Sequence, residues 1–238
     1  MSVQLTSPGI GLHRVAIIDD EEDQAEVTGF RLEDAGFEPI IIRPEHPFAS
    51  HEQLDVVVAA NNVQGIVCDH RLTRHNFSSF NGASYVAHKN KKGTPSLLTT
   101  HYIDIDVDVS IREFRKDIPV LLSREATNSE NLLKGFKITI EELAGTISSQ
   151  RQAHSALVRI TDRNTESGEE VVDVIVPQWN PHRAVRFPLK LITSIDDALI
   201  QPGIRLLAIV NIDAISSDEL YFYDFRLASE PDSGDGLG

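Results

Sequence analysis

The sequence predicts an α/β protein: a five-stranded, doubly wound parallel sheet followed by a small all-β, barrel-like domain. Three observations carry this. Short apolar runs alternate with helix-forming segments across roughly residues 12–152, the pattern of right-handed βαβ units. The first of these runs, Val-Ala-Ile-Ile at 15–18, has no polar alternation, as expected of a strand buried on both faces. Beyond about residue 153 the pattern changes to β-branched and aromatic runs separated by Gly, Pro, Asp and Asn turns. The expected divisions are therefore 12–152, 153–230 and a disordered tail at 231–238.

Taken in order, the first strand starts at Arg14 and runs into Asp19, Asp20 and Glu21. Glu21 to Ala35 has helix-forming composition and stops before Gly36, a residue suited to closing a helix. Phe37 to Ile42 is the second strand, and the two prolines within 43–50 mark a loop. Glu52 to Ala60 reads as a helix, although its Val-Val-Val run has strand propensity. Gly65 to Asp69 is the third strand, followed by a long polar loop from Leu72 to Gly82. A helix over 82–89 leads to the fourth strand, Ser96 to Thr100. Val107, Ile111 and Phe114 share one face of a helix expected over 104–116. Ile118 to Leu122 is the fifth strand. Thr127 and Glu130 form a capping-box pattern before a helix over about 129–151, whose apolar stripe includes Leu132, Phe136, Ile140 and Ile147.

In the second domain, strands are expected over 156–161, 170–176, 184–189, 206–212 and 220–227. A piece spanning 153–230 is long enough to be expected to fold by itself. Trp179, the sole tryptophan, is read as packed under this domain, and Cys68 as a small buried hydrophobe.

Strand ends carry the candidate chemistry. In parallel sheets the ligand crevice lies at the carboxyl ends of the strands. The first strand delivers Asp19 and Asp20 there, the third delivers Asp69 and the fourth Thr100. Adjacent carboxylates repel, so such a cluster calls for a cation, and a hard ion such as Mg2+ prefers oxygen ligands. His70 and His101 follow strand ends as well; both are read as packed or solvent-facing imidazoles.

Ile-Ile-Asp-Asp-Glu at 17–21, Val-Cys-Asp-His-Arg-Leu at 67–72 and Thr-Pro-Ser-Leu-Leu-Thr-Thr-His-Tyr at 94–102 stand in an order and spacing that resembles the receiver domain of two-component response regulators. The resemblance covers roughly residues 12–150. It implies a cytoplasmic, Mg2+-dependent signalling protein that accepts a phosphoryl group on Asp69 and is not otherwise an enzyme. Asp19, Asp20, Asp69 and the backbone carbonyl of Arg71 would hold Mg2+, and the Thr100 hydroxyl would meet the phosphoryl group. Receivers usually carry a lysine and then a proline at the end of the fifth strand. Here Ser-Arg-Glu occupies 123–125, so Arg124 would supply the cation, as a planar fork in place of a point charge. The partners implied are a histidine kinase or phosphotransfer protein, a downstream protein, and a second copy joined through the receiver domain.

Composition narrows the partners further. Of 238 residues 41% are hydrophobic and 24% charged, ordinary values for a globular protein. No run reaches the ~18 apolar residues that a membrane span requires, and the N-terminal residues lack the pattern of a secretory signal. A single cysteine excludes an internal disulfide and a Cys-based zinc site. The formal net charge of −14 argues against nucleic acid. The basic clusters at 89–92 and 112–116 are read as solvated helix ends. No phosphate-cradling Gly-rich loop, nucleophile elbow, His-Glu-x-x-His pair or helix-turn-helix is present. Two rival readings follow: an unphosphorylated scaffold whose β domain does the work, and a Mg2+-dependent phosphatase using Asp69. The second is disfavoured because arginine, not a general acid, stands at 71.

Overall fold

The computed structural model describes residues 11–103 and 107–229, apart from Ser167. The expected tail at 231–238 and the beginning of the helix expected at 104–116 lie outside the described residues. Two compact units emerge: Met1–Asp106 with Phe114–Ser148, and Val107–Glu113 with Ser149–Gly238. Residues 107–113, placed by the sequence in the first domain, thus group with the second.

In the first unit β1 (Arg14–Ile18), β2 (Glu38–Ile41), β3 (Gly65–Asp69), β4 (Ser96–Thr100) and β5 (Leu121–Ser123) form a sheet in the order β2-β1-β3-β4-β5. Every pairing is parallel. This is the flavodoxin-like order, in which the chain reverses direction beside the first strand and opens a crevice there. α1 (Glu22–Asp34), α2 (His51–Ala60), α3 (Gly82–Lys91) and α4 (Ser129–Leu143) cover the sheet. Val15, Ile17, Val67 and Leu97 pack with Leu32 of α1 and with Leu132 and Phe136 of α4. Because side chains alternate along a strand, Ala16, Ile18, Ile66, Cys68 and Leu98 point to the opposite face, and they too are buried. The doubly wound reading holds.

Local signals explain most element ends. Gly36 takes a positive φ of 88°, as a residue closing α1 should. α2 forms despite its valines because Leu54 and Val58, four apart, are buried while Val56 is exposed. Asp55 on α2 then receives Tyr85 Oη (3.0 Å), Lys89 Nζ (3.0 Å) and Lys92 Nζ (2.9 Å), tying α2 to α3. Lys89 is therefore buried rather than solvated, whereas Lys91 and Lys92 at the end of α3 are exposed, as expected of the rest of that basic cluster. α4 is capped by Asn128, whose side chain accepts from Asn131 N, and not by Thr127. It ends at Leu143, so Ile147 falls beyond it and is exposed.

The second unit is one antiparallel sheet ordered β10-β9-β6-β7-β8, from β6 (His154–Glu166), β7 (Glu169–Val176), β8 (Asn180–Pro188), β9 (Arg205–Val210) and β10 (Phe222–Leu227). Its core gathers Val158, Val174, Phe187, Leu206 and Phe222. Trp179 packs against that core and donates from Nε1 to Ala214 O at 2.9 Å, as a half-buried tryptophan with one polar handle does.

The helix expected over 104–116 is replaced, among the described residues, by a π-helical turn at Val107–Ile111 and a 3-10 turn at Arg115–Asp117. Arg112 and Arg115 are buried, so the second basic cluster, of which Lys116 alone is exposed, is not a solvated helix end.

Candidate functional site

β1 and β3 are adjacent and parallel, with Ile18 level with Cys68, so the residues that follow each strand meet at one sheet edge. Asp19, Asp20 and Asp69 accordingly place one carboxylate oxygen each within 4.8 Å of one another. β4 lies on the other side of β3, with Asp69 level with Thr99, which brings Thr100 to the same edge. Arg124 follows β5, and its amide donates to Thr100 O at 2.9 Å. Four strands therefore deliver the five side chains singled out in the sequence to one place.

Polar contacts fix their orientation. Asp69 is 4% exposed; its Oδ2 accepts from Arg71 N at 2.7 Å and its Oδ1 from Arg124 Nη2 at 3.2 Å. Arg124 also donates from Nη1 to Glu21 Oε2 at 3.0 Å, and its Nη2 lies 3.9 Å from Asp19. Asp19 Oδ1 accepts from Glu21 N at 2.9 Å. Asp20 Oδ2 meets the amide of His75 at 3.2 Å and its Nδ1 at 2.9 Å. Thr100 is buried, and its Oγ1 accepts from Tyr102 N at 3.2 Å.

Electrostatics follow from this crowding. Burial, reinforced by the neighbouring Asp69, pushes the Asp19 carboxyl up to about 7. Burial also raises Asp69, with the Arg71 amide and Arg124 offsetting part of the effect. Burial alone would lower the Arg124 guanidinium, yet the charges of Asp69, Asp19 and Glu21 hold it above its ordinary value. Three carboxylates of hard oxygen character fit Mg2+, which would be held by Asp19, Asp20 and Asp69.

A cavity of about 200 Å3 opens beside these groups, lined by Glu21, Asp69, Thr100 and Arg124 together with Arg71, Arg74, His101 and Tyr102. The Arg71 guanidinium lies 4.2 Å above the Tyr102 ring and that of Arg74 5.6 Å from it. Arg74, His75 and Tyr102 were not singled out as site residues in the sequence. Arg74 and His75 come from the long loop after Asp69, signalled in the sequence only by its length and by its place next to Asp69. His70 is buried and His101 exposed, with His101 Nδ1 3.5 Å from Glu125.

No family model and no curated protein matches the chain. Solved structures do resemble it. A candidate response regulator from Chloroflexus aurantiacus is 22% identical, with 54% of this chain and 98% of that one covered and a TM-score of 0.41. The receiver domain of a Francisella response regulator is 16% identical over 55% of this chain and 98% of its own, at a TM-score of 0.40. A response regulator receiver domain protein from Clostridium thermocellum is 17% identical over 57% and 100%, at 0.42. Among the described residues, no helix is long and apolar enough to cross a membrane.

Proposed function

We propose that the chain is a response-regulator-like signalling protein in which Asp69 accepts a phosphoryl group from a phosphohistidine on a partner kinase or phosphotransfer protein. The observation that carries the reading is the placement of a buried Asp69 between a carboxylate pair, Asp19 and Asp20, and a cation, Arg124. In the step, an Asp69 carboxylate oxygen attacks phosphorus in line, the P–N bond breaks, and its electron pair leaves with the imidazole, giving an aspartyl phosphate. Thr100 Oγ1 and the Arg124 guanidinium, both on the cavity wall, stabilise the transferred oxygens. Mg2+, when bound to Asp19, Asp20 and Asp69, would supply the charge that offsets the developing anion.

Incubation with acetyl phosphate and Mg2+, followed by intact mass, tests this. The wild-type chain should gain one phosphoryl group and Asp69→Asn none; an equal gain in the variant would refute the assignment.

One observation favours a second reading. Arg124 already spans Asp69 and Glu21, so the site is tied together without a ligand, as an unphosphorylated scaffold would be. Absence of any mass gain in the wild type would select it. For the second unit we propose a protein partner rather than nucleic acid, on the whole chain's net charge of −14. Submicromolar binding to DNA or RNA at about 150 mM salt would overturn that.

A further inference from the structure

A second cavity lies on the β2 side of the acidic pair, away from Thr100 and Arg124. β1 and β2 are parallel, with Ile17 level with Ile41, and Ile42 N still donates to Ile17 O at 2.9 Å. Past that bond the two chains part. β1 leads through Asp19 and Asp20 into α1, whereas Pro44 and Pro47 lack the donors that further pairing beyond β2 would need. The loop after β3 closes the gap: Phe48 N donates to Phe77 O and Ser79 N to Phe48 O, both at 2.9 Å, and the Phe48 and Phe77 rings lie 5.6 Å apart. Between these segments remains a cavity of about 210 Å3.

Its walls are of two kinds. Ala25, Ile41, Ile42, Pro44 and Phe77 line it with apolar surface, and Ala25, Ile42 and Phe77 are themselves buried. Asp19 and Asp20 line it too, with side chains 7% and 2% exposed. Of the two basic side chains on the wall, Arg43 is engaged by Glu22 at 2.7 Å and His75 by Asp20 at 2.9 Å. An anion would be repelled here, and a neutral apolar molecule would leave the carboxylates desolvated without a partner. A bare metal ion would meet the carboxylates and leave the apolar walls unused. A molecule with one positive end and an apolar body satisfies both. Since a dry cavity of about 150 Å3 takes benzene, this one suits a body of roughly eight non-hydrogen atoms.

We infer that this cavity binds a small organic ammonium ion, its nitrogen directed at Asp19 and Asp20 and its apolar body lying against Ile42, Pro44 and Phe77. The nitrogen takes oxygens that the proposed Mg2+ would also use, so the amine and the metal compete. Binding of the amine stands apart from the phosphoryl-acceptor reading, and the competition rests on it.

Benzylamine, a cation at neutral pH, is the probe, titrated into the full chain and followed by amide NMR shifts. Saturable shifts at 19–25, 41–43 and 75–77 are expected in the range of about 1 mM or below. Benzyl alcohol and methylamine each keep one half of the recognition and should bind at least about tenfold more weakly. No saturable shift with benzylamine overturns the site, and so does equal binding by either comparator. Nα-acetyl-lysine methylamide carries the ammonium on the stem that a protein side chain would offer; tighter binding than benzylamine overturns the small-molecule assignment in favour of a partner's lysine. Pro44→Trp, at a half-buried loop position, should fill the cavity and weaken benzylamine at least about tenfold. Unchanged affinity in that variant puts the amine elsewhere and overturns the site; should the variant fail to fold, the wild-type comparators decide. Saturating Mg2+ should raise the apparent Kd of benzylamine at least about fivefold. If both bind and neither weakens the other, the competition is overturned. If benzylamine binds while Mg2+ moves no amide around Asp20 and Asp69, the metal-dependent acceptor reading fails and the amine site is supported.

Discussion

Gly82 stands so close to Asp69 that a Cβ built on it would lie 1.8 Å from the Asp69 carbonyl oxygen and 3.0 Å from Cys68 Sγ. The first residue of α3 is thereby pressed onto the end of β3, with Gly82 N donating to His70 O at 2.8 Å. Gly82→Ala should displace main chain rather than a yielding side chain, costing about 1–3 kcal/mol. It should also reduce phosphoryl gain from acetyl phosphate, although residue 82 carries no reactive group. Thermal melting and intact mass check the two effects separately.

Arg124 is the next lever. Arg124→Ala leaves Asp69 and Glu21 without their shared cation, and phosphoryl transfer should slow by on the order of 10²-fold. Arg124→Lys keeps the charge but cannot reach both carboxylates with a fork, so it should stay within about tenfold of the wild type. Single-turnover rates from a phosphorylated donor would show the order; a faster Ala than Lys variant would contradict it.

Asp19 makes the site sensitive to pH. Its carboxyl is raised from an ordinary 3.8 to about 7 in the folded chain, so the folded state holds a proton that the unfolded chain has given up. The stability it contributes is complete below its ordinary value and is lost as pH rises through about 7. Mg2+ needs the ionised form, so its affinity should climb from about pH 6 to about pH 8. The Mg2+-induced rise in melting temperature should grow over the same range. Amide shifts around Asp20 and Asp69, titrated with Mg2+ at several pH values, measure this; a flat profile would count against the assignment.

A fragment beginning at residue 149 should be less stable than its length suggests. It leaves the carbonyls of Arg186, Ser217 and Leu220 without their donor, the Arg112 side chain. With the segment gone these carbonyls turn to water, so the loss is the net worth of hydrogen bonds to a charged donor, about 1.5–3 kcal/mol each. Addition of a peptide covering 107–113 should raise its melting temperature, and no shift at saturating peptide would argue that the fragment is complete alone.

What could be read from the sequence divides along physical lines. Strands buried on both faces appear as unbroken apolar runs, and their polar ends are conspicuous, so Asp19, Asp20, Asp69 and Thr100 were found together. Val107 and Ile111, read with Phe114 as one face of a helix, are buried, although turns stand in place of that helix among the described residues. Periodicity says that a face is covered but not by what, and here the cover belongs to the other unit. The buried Arg112 and Lys89 were misread for a related reason: a long cationic side chain looks solvated until its acceptors, distant in sequence, are known. Loop residues such as His75 and Arg74 reach the site through chain geometry that no spacing rule encodes.

The path of the chain through its two units also bears on how such a protein can be inherited. The polypeptide enters the β unit at 107, leaves it after 113 and enters it again at 149. No single recombination point in the coding sequence separates one complete unit from the other. A crossover at 149 would transplant a β unit lacking its arginine key and strand that key in a host with no lock. The two units are therefore expected to descend as a pair, the β unit travelling only together with 107–113.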